Sequence, residues 1–220
     1  MSNDEDRSRT NLGTHLLQEL QANIPGASGT LKHLTMEGSS NILSASDLKK
    51  LIRFMDQVHQ DHHADTSDLK IVFGDDIRGK FGTESFADVL DISTANKLLE
   101  LHDKYFEQGK SQEPKIVLRR TEAMDGCIDF HCYGTIPTYT IQITLNDDSE
   151  YSGGRLVFFH KDKLIEPKRP AGFMSVHSND VMHGVTRVTK GVRYSLFVVD
   201  GDKGLGGSSS NIHISRRRVE

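Results

Sequence analysis

The sequence predicts a mainly β domain, a sandwich or jelly-roll barrel, with a layer of amphipathic helices on its N-terminal side. Three observations lead there. Apolar residues recur at helical spacing in two stretches before Pro114. After Pro114 the period shortens to two, over strand candidates 115–120, 127–132, 138–145, 155–159, 173–177, 181–188 and 192–199. Clusters of Gly, Asn, Asp and Pro separate these strands at the short intervals of an antiparallel barrel or sandwich.

In chain order, residues 1–28 form a polar segment expected to be flexible, with Leu12, Leu16, Leu17 and Leu20 at a spacing that suits a docking lid. Residues 29–200 are expected to make one domain, with a helical layer over about 44–109 and a strand-built core over about 115–200. Leu48, Leu51, Ile52, Met55 and Val58 line one helix face, so the spacing predicts a helix from Ser46 to about His59, with Ser44 or Ser46 as N-cap. The run from His59 to Asp65 holds three imidazoles and two carboxylates, but no period gathers them on one face, so it reads as a solvated helix end. Asp68 to Phe73 follows as a short strand. Ser93 is the expected cap of a second helix with an apolar stripe of Ala95, Leu98, Leu99, His102, Tyr105 and Phe106, stopped by Gly109. His102 on that stripe reads as a hydrogen-bonded core histidine. Residues 201–220, rich in Gly and Ser and ending in three arginines before Val219, are expected to be a flexible tail.

Composition removes several function classes. At 220 residues and 24.6 kDa the chain can bury a full core. A net charge of -4 and a pI near 6.3 give no general attraction to phosphate backbones, so nucleic acid is not an expected partner. No apolar run approaches the roughly 18 residues of a membrane span, and the polar start Met1 to Asp6 lacks the pattern of a secretory signal. An intracellular, cytoplasmic protein without a membrane partner is the expectation. Cys127 and Cys132 make no disulfide framework and read as small buried hydrophobes.

The chemistry concentrates in the strand half. His131 sits among carboxylate and phenol groups in Ile128-Asp129-Phe130-His131-Cys132-Tyr133, and alternation puts Asp129, His131 and Tyr133 on one face. His183 answers it, with Arg193 ten positions further on. Two histidines that strands can bring together, with an arginine behind the second, suit a divalent metal and the remote carboxylate of an acid bound to it. The strand over 192–199 places Arg193 on the face of Ser195, Phe197 and Val199. The strand over 138–145 is apolar on one side and Thr138, Thr140, Gln142 and Thr144 on the other, which faces solvent or lines a polar pocket.

In order and spacing, six pieces together resemble the iron(II)- and 2-oxoglutarate-dependent dioxygenases, in their prolyl-4-hydroxylase-like branch. They are His131 at the head of an H-x-D motif, Leu145-Asn146, Gly153-Gly154-Arg155-Leu156-Val157-Phe158-Phe159, Arg169-Pro170-Ala171-Gly172, His183-Gly184-Val185 and the R-x-S pair Arg193 and Ser195. The resemblance covers about 115–200 and implies a double-stranded β-helix, iron(II) held by His131 and His183, and 2-oxoglutarate as cosubstrate, with ascorbate as a candidate reductant. It implies that Arg193 and Ser195 grip the distal carboxylate of 2-oxoglutarate and that Thr144 contacts the cosubstrate, with Gln142 as further lining. A bidentate guanidinium suits that carboxylate. His183 fits the distal-histidine motif, whereas His177, just before Ser178-Asn179-Asp180, reads as a rim residue.

One position departs from the pattern: Tyr133 stands where the family has the carboxylate of H-x-D. A neutral phenol is a weak ligand for iron(II), and the metal would have to lower its pKa by several units. Three outcomes stay open: Tyr133 ligates as tyrosinate, Asp129 supplies a displaced carboxylate, or the metal keeps two protein ligands. The expected function is oxidation of a peptide (peptidyl-proline) or small-molecule substrate with release of succinate and carbon dioxide. The alternatives are a non-catalytic binding module that keeps the fold and a metalloenzyme with an atypical His/His/Tyr site.

Overall fold

A computed structural model describes residues 34–39, 42–62, 67–73, 86–106, 114–123, 128–131, 139–160, 163–178, 181–200 and 211–213. The expected lid segment, the two cysteines and Tyr133 lie outside the described residues.

The expected helical layer forms. Helix α1 spans Ala45–His62. Ser44 is its cap: the Ser44 hydroxyl accepts from the Asp47 N–H at 3.2 Å, and Asp47 Oδ2 accepts from the Ser44 N–H at 2.9 Å, so two otherwise orphaned donors are satisfied reciprocally. The helix runs past the predicted end at His59, and His59 itself is buried rather than solvated. A single turn, α2 over Phe86–Val89, precedes α3 over Ile92–Tyr105. The cap of α3 is Asp91 and not Ser93, because the Asp91 carboxylate accepts from the Thr94 N–H at 2.8 Å. His102 is buried and stacks on Phe106 with ring centroids 4.4 Å apart.

The predicted strands appear as β2 (Asp68–Phe73), β3 (Pro114–Glu122), β4 (Ile128–His131), β5 (Tyr139–Thr144), β7 (Leu156–His160), β9 (Phe173–Ser178) and β12 (Val192–Asp200). Residues 181–188, predicted as one strand, divide into β10 (His183–Val185) and the start of β11 (Val188–Lys190). Four further strands complete the set: β1 (Leu34–Ser39), β6 (Ser152–Gly153), β8 (Lys163–Ile165) and β13 (Asn211–His213). The last lies within the expected flexible tail and pairs in parallel with β2.

Among the described residues a large sheet runs in the order β1-β9-β5-β12-β3-β2-β13, a smaller one in the order β4-β10-β7-β8, and β11 pairs with β6. Ile141, Ile143, Met174, Val176, Tyr194, Leu196 and Val198 cover one face of the large sheet and share one core with Leu48, Leu51, Met55, Leu98 and Leu99 of the helices. Asp56 on α1 ties that layer down, accepting from the Tyr194 hydroxyl at 2.6 Å and from Arg120 Nε at 2.9 Å. The small sheet lies against the opposite face, where Phe158 on β7 stands 5.3 Å from His177 on β9. This is a jelly roll, mainly antiparallel, with its helices outside.

Candidate active site

The inner face of the large sheet is polar, although it is buried. Directly opposed residues share a face. Thr144 opposes Ser195, Gln142 opposes Ser175, and Thr140 opposes His177. Thr144, Gln142, Ser175, His177, Arg193 and Ser195 are all at most 2% exposed. The period-two alternation of β5 and β12 therefore separates a greasy outer face from a hydrogen-bonding inner one.

Arg193 lies on this face, fully desolvated. Its aliphatic stem passes close to a glycine: a Cβ at Gly154, where φ is +60°, would come within 3.1 Å of Arg193 Cδ. At Gly153 a Cβ would run into the carbonyl oxygen of Arg187. Burial weakens Arg193's hold on its proton, while the neighbouring Tyr151 phenol strengthens it. The Leu145-Asn146 pair holds the edge of the pocket. Asn146 donates from Nδ2 to the Val192 carbonyl at 3.0 Å and accepts from the Tyr194 N–H at 3.0 Å, clamping the end of β5 to β12.

A second arginine, from the Arg169-Pro170-Ala171-Gly172 piece but given no site role by the sequence, occupies the same place. Arg169 is 2% exposed. With the Gln142 carboxamide oriented so that its oxygen meets donors, that oxygen accepts from Arg193 Nη2 at 2.9 Å and from Arg169 Nη2 at 3.3 Å. Burial and the nearby Arg193 push the Arg169 pKa down to about 9, which leaves it charged at neutral pH. Arg169 Nε and Nη1, Arg193 Nε, Thr144 Oγ1 and Ser175 Oγ find no hydrogen-bond partner among the described residues. Other arginines nearby are neutralised: Arg119 is bidentate on Asp68 at 2.7 and 2.8 Å, Arg120 pairs with Asp56 and Glu122, and Arg155 with Asp148.

The imidazoles gather beside this pocket. His183 on β10 opposes His131 on β4, so the register brings the two predicted metal-ligand positions side by side. The Val181 carbonyl lies 2.8 Å from His183 Nδ1, which fixes the orientation of the ring. His177, expected on the rim, is instead 2% exposed, and its ring lies 4.2 Å from that of His183. The correction has a physical cause: β9 continues to Ser178, and the small sheet closes over it. Nothing in the local sequence Ser178-Asn179-Asp180 announces that cover. The side chains of Asp129 and His131 lie outside the described set, and among the described residues no group of three His, Cys, Asp or Glu is clustered tightly enough to hold an ion. Two histidine positions opposed across a strand pair, with the His183 ring oriented through Nδ1, fit a borderline divalent metal. A pocket rich in N–H and O–H donors fits its acid ligand.

No family model and no curated protein matches this sequence. Solved structures do match. A prolyl-4-hydroxylase from Pseudomonas putida is 13% identical, with 87% of this chain and 99% of that chain aligned at a TM-score of 0.54. The fold is that of the prolyl 4-hydroxylases. A Trichoplax adhaerens prolyl hydroxylase, solved with a hypoxia inducible factor oxygen degradation domain peptide fragment, is 11% identical over 92% of this chain and 94% of that one, with a TM-score of 0.54. HygX from Streptomyces hygroscopicus, solved with nickel and 2-oxoglutarate bound, is 12% identical over 77% of this chain and 83% of that one, with a TM-score of 0.55. The prolyl-4-hydroxylase fold agrees with the double-stranded β-helix expected from the motifs. At such identities the likeness is one of fold, and the site rests on this chain's own side chains.

Proposed function

We propose that this protein is an iron(II)- and 2-oxoglutarate-dependent oxygenase acting on a peptide (peptidyl-proline) or small-molecule substrate. One observation carries the reading: a fully buried arginine with no carboxylate partner among the described residues, on the sheet face that meets the His177 and His183 rings. A buried unpaired charge costs several kcal/mol, so a pocket that keeps one is built to receive an anion. A metal-chelating acid with a distant second carboxylate suits both ends of this site.

His131 and His183 would hold the iron, with Tyr133, two residues after His131 in sequence, as third ligand, or Asp129 as the displaced carboxylate. His177 offers a further imidazole, favoured by its 4.2 Å ring separation from His183. When bound, iron(II) supplies the activation of dioxygen that couples conversion of 2-oxoglutarate to succinate and carbon dioxide with insertion of the other oxygen atom into a C–H bond. The protein's own groups do the rest. Arg193 grips the distal carboxylate, and the Ser195 and Thr144 hydroxyls donate to it. The Val181 carbonyl fixes the tautomer and the aim of His183. The ring of Phe158 and the apolar residues behind it, Leu156 and Val181, keep bulk water from the imidazoles. Ascorbate would serve as external reductant.

Calorimetry with Mn(II) and 2-oxoglutarate tests the reading. Wild type should bind the acid in a metal-assisted way, and Arg193→Ala should weaken that binding by about 2–5 kcal/mol, with metal affinity nearly intact. With Fe(II), succinate should form. No binding at millimolar concentration rejects the proposal; binding without succinate under any substrate leaves an acid-binding module, the reading that Tyr133 in place of a carboxylate favours.

A further inference from the structure

Arg169 is not one of the residues that the oxygenase reading uses, yet the fold places it with care. It lies on the connection from β8 to β9, and that connection is tied to the β5 end of the pocket at both sides. The Arg169 N–H donates to Asp148 Oδ2 at 3.1 Å, and three residues later the Gly172 N–H donates to the Thr144 carbonyl at 2.8 Å. So held, the side chain turns into the interior and meets the same Gln142 oxygen as Arg193. An amide oxygen carries only a partial charge and cannot neutralise two guanidinium groups. Arg169 Nε and Nη1 point at no acceptor among the described residues, whereas Arg119 on the same sheet face and Arg155 both have carboxylates.

We propose that Arg169 and Arg193 together form a two-arginine cradle for one terminal carboxylate, so that Arg169 is the residue that makes the pocket selective for dicarboxylic acids. A carboxylate has two oxygens and about four lone-pair directions, enough to take one guanidinium on each oxygen. The Gln142 carboxamide spaces the two cations and is itself a neutral placeholder. A single arginine would discriminate poorly between a carboxylate tail and a polar one; two uncompensated charges penalise any tail that brings no negative charge, because both cations then remain buried and unpaired. The inference rests on the oxygenase reading for the identity of the acid, but the cradle itself requires only a terminal carboxylate.

The experiment compares wild type, Arg169→Met and Arg169→Lys by calorimetry with three probes: 2-oxoglutarate with Mn(II), 2-oxopentanoate with Mn(II), which has a methyl group where the distal carboxylate would be, and glutarate without metal. Arg169→Met should weaken 2-oxoglutarate and glutarate by about 10- to 100-fold, the range of one charge-assisted hydrogen-bonded contact. It should leave 2-oxopentanoate unchanged, and Arg169→Lys should recover part of the loss. Without ligand, Arg169→Met should melt at or above the wild-type temperature, because it removes a buried unpaired charge; should it fail to fold, Arg169→Gln takes its place in the same series. Equal weakening of all three probes together with a lower melting temperature would show a merely structural arginine and overturn the cradle. Unchanged dicarboxylate affinity in Arg169→Met alongside loss in Arg193→Met also overturns it, and leaves the oxygenase reading standing. Wild type that binds glutarate through Arg169 but takes no 2-oxoglutarate with Mn(II) supports the cradle and rejects the oxygenase.

Discussion

At the residue scale the decisive position is Tyr133, because it follows by two residues in sequence the His131 that β4 sets opposite His183. A phenol of ordinary acidity gives iron(II) a poor third ligand, and an aspartate gives it a hard anionic one. Tyr133→Asp is therefore expected to tighten Fe(II) binding and raise 2-oxoglutarate turnover uncoupled from substrate. The ferric wild-type protein should show a tyrosinate-to-iron absorption band that the variant lacks. Absence of that band from the wild type would remove Tyr133 from the ligand set and move the third position to His177 or Asp129, which Cu(II) spectroscopy separates by counting two or three nitrogen ligands.

At the scale of elements, the Gly153-Gly154 turn before β7 connects backbone conformation to the acid pocket. Gly154 has φ +60°, a region that costs an alanine about 1–2 kcal/mol, and a Cβ there would press on Val188 Cγ2 at 3.0 Å and Arg193 Cδ at 3.1 Å. Gly154→Ala should lower the melting temperature by that margin and also weaken 2-oxoglutarate, since the Arg193 stem has to move. Metal affinity should not change. A thermal melt and a titration on one sample check both effects, and normal acid binding in a destabilised variant would separate the turn from the pocket. The cap of α3 makes a related point: Ser93 and Asp91 are both good N-cap residues, and the chain uses the earlier because its carboxylate reaches both the N–H and the hydroxyl of Thr94, at 2.8 and 3.1 Å.

At the scale of the molecule, the large sheet insulates stability from chemistry. Leu98 is fully buried in the core between the helices and the outer face, on the side away from Arg193. Leu98→Ala should cost about 2–5 kcal/mol of stability, the usual range for a buried leucine. The folded protein that remains should keep its affinity for 2-oxoglutarate, because Leu98 belongs to the core cluster on the helix side of the sheet. Chemical denaturation read with acid titration tests this, and a matching loss in both would show the two faces to be coupled.

The local pattern of the sequence was enough for the periodic elements. Strands β3, β5, β9 and β12 and helices α1 and α3 each carry a repeat of two or 3.6 that burial imposes directly on residue choice. The same alternation puts Arg193 with Ser195, and Thr144 with Gln142, on shared faces, since a strand's geometry has no other period. Short strands such as β1, β6, β8 and β13 carry too few residues to show a repeat, and their pairing is decided by distant partners. His177 and Arg169 belong to the same class. His177 is buried because the small sheet closes over β9, and Arg169 because two backbone bonds fold the β8–β9 connection onto β5. Burial of an imidazole against Phe158, or of a guanidinium against Gln142, some 19 and 27 positions away, leaves no trace in the immediate neighbours, so only the tertiary structure could assign these two residues to the pocket.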